Sequence, residues 1–184
     1  MNKKEAVNLA MRYLILLLLG LSLSFFYSVF TPLTVWPVYW YLGLLNAGTR
    51  LFEGNVIFFR GEYIEIIGAC VAGAAYYLLL ILNLGTPMDA LKRIKSISFL
   101  IGSFLLLNIA RIVLFSLLLA GGFGFFDLAH KLTWYFGSTL LVVVLWFVNV
   151  WLFDIREIPI YSDVLGLFGD VFRGKIGNIK KGQR

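Results

Sequence analysis

"ISFLIGSFLLLNIARIVLFSLLL", residues 97–119, decides what kind of protein this is. A helix rises about 1.5 Å per residue, so a run of this length covers a hydrocarbon core of roughly 30 Å. Asn108 and Arg111 interrupt an otherwise apolar segment. Working outward, three more apolar runs flank it: Tyr13–Phe30, Ile66–Leu84 and Leu132–Phe153. The composition agrees. Of 184 residues, 60% are hydrophobic and 14% charged, whereas a soluble chain is about a quarter charged. These features predict an all-α polytopic membrane protein with about four transmembrane helices.

Pro32 and Pro37 are expected to end the first span, because proline breaks a helix interior. The following "WPVYWYLGLL", residues 36–45, is too short to span and rich in rings that favour the headgroup level. It reads as an interfacial segment or a short re-entrant helix. The first span does not read as a cleavable signal, since "TPLTVWP" lacks a small-x-small cleavage pattern. In "NVIFFRGEYIEII", residues 55–67, two β-prone runs flank Arg60-Gly61 and predict a small hairpin leading into the second span.

Loop charges set a direction. Lys3, Lys4, Arg12, Lys92, Arg93, Lys95, Arg156, Arg173, Lys175, Lys180, Lys181 and Arg184 all fall on one side of a four-span chain, against Arg50, Arg60 and Lys131 on the other. The positive-inside rule then puts both termini in the cytoplasm. Residues 1–153 read as a single membrane domain and 154–184 as a basic cytoplasmic tail. Within that tail Tyr161, Val164, Leu165, Phe168, Val171 and Phe172 recur at helical spacing, predicting an amphipathic helix on the inner surface. The net charge of +6 sits beside apolar spans and suits anionic lipid headgroups rather than nucleic acid.

This topology brings three chemically distinct side chains to similar depth at the outer end. Cys70, the chain's one cysteine, stands in "IGACVAG" (67–73), one turn inside the second span. Arg111 lies in the outward half of the third, with Asn108 one turn earlier on the same face. His130, the one histidine, stands at the entrance of the fourth. An arginine within a span normally faces a partner or a polar cavity. Alone, Cys70 reads as a small buried hydrophobe and His130 as an interfacial residue; together with Arg111 they suit acyl transfer. A thiolate attacks a carbonyl to give a thioester. Arginine stabilises the oxyanion or holds a carboxylate. Imidazole takes the thiol proton and passes it to the leaving amine. One cysteine and one histidine make a poor zinc set, and no phosphate-binding glycine pattern appears, so no metal or cofactor is expected.

"IGACVAG", "NIARIVLF" (108–115) and "DLAHKLTW" (127–134), in that order, resemble the exosortase/archaeosortase family of membrane-embedded transpeptidases. The resemblance covers roughly residues 50–150, in a shorter, minimal-core form. The chain departs from the common C-S-G pattern by carrying Val71 and Ala72 before Gly73. The resemblance implies Cys70 as nucleophile and Arg111 and His130 as the basic catalytic residues; Asn108, on the face of Arg111, is expected as a substrate contact. It also implies a prokaryotic cell membrane and secreted protein substrates that end in a short motif, a transmembrane helix and a basic cluster. These would be cleaved at the outer face and passed to a lipid or glycan acceptor. The competing reading is a non-enzymatic transporter or assembly subunit that binds an anion through Arg111.

Overall fold

A computed structural model describes residues 23–155, together with the isolated positions 7, 11, 14 and 20. The described residues are mostly helical, with one small sheet. Helix α1 (Leu23–Leu45) runs unbroken through Pro32 and Pro37, which corrects the expected stop. "WPVYWYLGLL" is accordingly the second half of α1, not a separate interfacial segment. Packing supplies the reason. Phe26, Phe30, Thr34, Val38 and Leu42 recur every four residues and are all buried against the neighbouring helices. Close packing of this stripe on the neighbouring helices holds the helix together across both prolines.

After α1 the chain forms an antiparallel meander, β1 (Arg50–Phe52), β2 (Val56–Phe59) and β3 (Glu62–Glu65), in that spatial order. The β2–β3 hairpin follows the sequence expectation. Its turn residues, Arg60 and Gly61, both have positive φ, 50° and 96°, as a two-residue type I′ turn requires. β1 was not expected. Ile57, Phe59 and Ile66 are buried and fasten the sheet to the helices.

The second apolar run is also not one helix. It divides into α2 (Gly68–Val71) and α3 (Gly73–Leu84) about Ala72, which adopts φ 58° and ψ 43°. Helix α4 (Ala90–Ala120) follows, burying Ser96, Leu100, Phe104, Asn108, Ile112, Val113 and Ser116 along one stripe. Helix α5 (Phe126–Leu132), a π-type turn (Thr133–Gly137) and α6 (Ser138–Leu152) form a continuous helical run. Two helices, Ala90–Ala120 and Phe126–Leu152, are long and apolar enough to cross a membrane. The apolar α2–α3 run, Gly68–Leu84, is shorter. The amphipathic helix expected in the tail lies outside the described residues.

The core forms where α1, α3, α4 and α6 meet. At the end away from the sheet, a buried polar chain ties three helices together: Asn83 Nδ2 donates to Ser96 Oγ (2.5 Å), which donates to Asn149 Oδ1 (2.8 Å). Beside it, Arg93 donates to the carbonyls of Asn83, Thr86 and Met88 at 3.0, 3.0 and 3.4 Å. These bonds close the α3–α4 connection.

Candidate active site

The break at Ala72 builds the other end. A residue with a Cβ in the left-handed region costs about 1–2 kcal/mol, so something must hold it there. In a continuous helix the N–H of residue 75 would bond to the carbonyl of residue 71. Here Ala75 N–H instead reaches the carbonyl of Ala72, at 2.9 Å. The carbonyls released are taken up by α4. Asn108 Nδ2 donates to the carbonyls of Cys70 (2.9 Å) and Val71 (3.4 Å), and Arg111 Nη2 donates to that of Cys70 (3.3 Å). Small residues let α1 close in from behind. A Cβ on Gly73 would lie 2.9 Å from the Tyr27 ring. The segment carrying the cysteine is thus clamped from both sides.

Arg111 is fixed in turn. Its Nη1 donates to Ser138 Oγ at 2.6 Å, which links α2, α4 and the start of α6 through one guanidinium. Two of its five N–H donors now have bonds to carry, and the side chain is only partly buried. His130 sits among rings: parallel to Phe126 at 5.6 Å between centroids, and edge-on to Phe115 at 5.3 Å. Its side chain is exposed rather than packed away.

Cys70, Arg111 and His130 all line one cavity of about 330 Å³. Such a volume lies within the usual range of small-molecule and peptide side-chain sites. The walls are largely apolar, with Phe115, Leu119, Phe126 and Trp134 from the helices. Ser116, Thr133 and Glu65 add polar groups, and Tyr63, Ile64 and Glu65 bring strand β3 to its rim. A thiol, a guanidinium and an imidazole therefore share one largely apolar enclosure. That is the combination needed to form a thiolate, stabilise an oxyanion and move a proton.

Asn108 is placed otherwise than as a substrate contact. It is 1% exposed, and its amide is engaged with the backbone on either side of the break. It shapes the cysteine segment. Two contributors escaped the sequence reading. Ser138 was not among the candidate residues, and its hydroxyl anchors Arg111. Ala72 offered no signal, because an alanine in an apolar run reads as helix.

No protein-family model, curated protein or solved structure matches the chain.

Proposed function

We propose that the protein is a membrane-embedded cysteine transpeptidase that cleaves C-terminal sorting signals of secreted proteins. The observation that carries this reading is the single cavity shared by Cys70, Arg111 and His130. The Cys70 thiol gives its proton to His130, and the thiolate so formed attacks the scissile carbonyl. The Arg111 guanidinium, held by Ser138 and the Cys70 carbonyl, stabilises the oxyanion of the tetrahedral intermediate. Collapse breaks the C–N bond, His130 protonates the departing amine, and a thioester remains on Cys70. A nucleophilic group on a lipid or glycan acceptor, or water, then attacks the thioester and releases the thiol.

In this reading α1 and the α2–α3 run span the membrane beside the two longer helices, giving four spans. The sheet end faces outward, and Lys92, Arg93 and Lys95 face the cytoplasm. Large apolar side chains exposed along the bundle, such as Leu106, Leu114, Leu140 and Phe147, support lipid contact. A passive anion carrier would use Arg111 but would have no need of a clamped thiol beside it.

The test uses a secreted reporter from the same genome that ends in a motif segment, an apolar helix and a basic cluster. Cys70→Ala should abolish its processing, and Cys70→Ser should be nearly inactive, since an alkoxide forms far less readily than a thiolate. Both variants should accumulate as the folded wild type does. Full processing by Cys70→Ala would return the anion-binding membrane protein as the better account.

A further inference from the structure

Side chains along a strand alternate between its two faces, so a cavity pressed against one face touches every second residue. The cavity that holds Cys70 is lined by three consecutive strand residues, Tyr63, Ile64 and Glu65. It therefore runs along the edge of β3. β3 is an edge strand of the sheet, paired only with β2 among the described residues.

The register shows what that edge offers. Ile66 N–H bonds to the Asn55 carbonyl at 2.9 Å, which makes Asn55–Ile66 a hydrogen-bonded pair. Such pairs alternate along an antiparallel ladder. With Ile57 opposite Ile64 and Phe59 opposite Glu62, the backbone groups of Glu62, Ile64 and Ile66 turn toward β2. Those of Tyr63 and Glu65 turn away from it, and both residues lie at the cavity. Among the described residues no strand pairs with the N–H and carbonyl that each turns outward. From Glu65 the backbone continues within five residues to Cys70.

We infer that the protein binds its substrate as an added β-strand along the Tyr63–Glu65 edge of β3, which lays an extended main chain into the cavity beside Cys70. This rests on the transpeptidase reading and specifies the bound form of its substrate. The occupant is a short extended segment matched to the three-residue edge, about 10 Å of strand. Affinity comes from main-chain hydrogen bonds, as in other cases of strand addition. A substrate segment just before an apolar helix meets these requirements; a helical segment, with its backbone groups already paired, does not.

Cross-linking reads the geometry directly. In a Tyr63→Cys, Cys70→Ala chain, single cysteines are placed one at a time through the extended segment of the reporter, and disulfides are formed by mild oxidation. Bridging requires close Cα atoms, so strand addition predicts cross-links at alternate positions. A helical period, or no cross-link to a reporter that the native chain processes, would overturn the inference. A second variant needs no trapping. Tyr63→Pro removes an outward N–H and leaves the bonds to β2 in place, a substitution edge strands accept. It should slow processing about tenfold, the loss expected when a bound carbonyl is left without its donor, with Tyr63→Ala, which keeps that N–H, losing clearly less. Equal rates for the two variants would count against strand addition. The two proposals separate cleanly, because processing that depends on Cys70 but shows no alternating cross-links leaves the transpeptidase standing without this mode of binding.

Discussion

Helix α4 carries an arginine near each end, and the two are used in opposite ways. Arg93 donates to three backbone carbonyls of one connection, Asn83, Thr86 and Met88. Arg111 reaches two helices through Ser138 and Cys70 while lining a cavity that also holds a thiol and an imidazole. A guanidinium surrounded by carbonyls closes a turn. One held by two bonds at a cavity wall keeps donors for another molecule. The polar groups near them follow the same division. Asn83, Ser96 and Asn149 bond to one another and join three helices, whereas Asn108 holds open a break in the helix that presents Cys70.

Exchanging each arginine for lysine should expose this contrast most strongly. Arg111→Lys keeps the charge but loses the planar fork that spans Ser138 and Cys70. Reporter processing should fall by about a hundred- to a thousandfold, a loss of roughly 2.7–4 kcal/mol of transition-state stabilisation, more than the stability lost with the bonds to Ser138 and Cys70, about 1–3 kcal/mol. Arg93→Lys should do the reverse, leaving processing near wild type and lowering stability in detergent by about 1 kcal/mol as part-buried carbonyls lose donors. If both substitutions affected only stability, Arg111 would be as structural as Arg93.

Asn108→Ala tests whether the cavity depends on the break. It leaves the Cys70 and Val71 carbonyls short of a donor, so stability should fall by about 1–3 kcal/mol. Processing should fall in parallel, because the cysteine segment is no longer held. The reporter concentration giving half-maximal rate should stay nearly unchanged, since Asn108 does not line the cavity. A selective rise in that concentration would restore Asn108 as a substrate contact.

The smallest effect belongs to Ala72. At a φ of 58° glycine avoids the strain that alanine carries, although its unfolded state is more flexible. Ala72→Gly should therefore stabilise the protein slightly, by about 0.5 kcal/mol, and leave processing intact. A clear destabilisation would show that the break is not held in the left-handed conformation.

These residues also mark how far the sequence could be read. The lengths of the apolar runs and the Arg60-Gly61 turn signal depend on local chemistry, so two long apolar helices and the β2–β3 hairpin were legible. Cys70, Arg111 and His130 stood out because ionisable or reactive groups are rare in such surroundings. Pro32 and Pro37 misled because a local rule was opposed by long-range burial of Phe30, Val38 and Leu42. Ala72 was silent because its conformation is imposed by Asn108 and Arg111, thirty or more positions away in the chain. The strand β1 was missed for a related reason: its three residues acquire a partner only through the β2 register. For Asn108 the residue type announced a polar role without saying whether backbone or substrate would receive the bond.

The central claim is that Cys70 becomes covalently acylated in a site completed by Arg111 and His130. The most direct measurement is the intact mass of the purified chain after brief incubation with the reporter, followed by peptide mapping. The account predicts an added mass equal to the reporter's upstream fragment, located on Cys70, released by hydroxylamine and absent from Cys70→Ala. Cleavage of the reporter by Cys70→Ala at the wild-type rate, with Cys70 unmodified in the native chain, would contradict it.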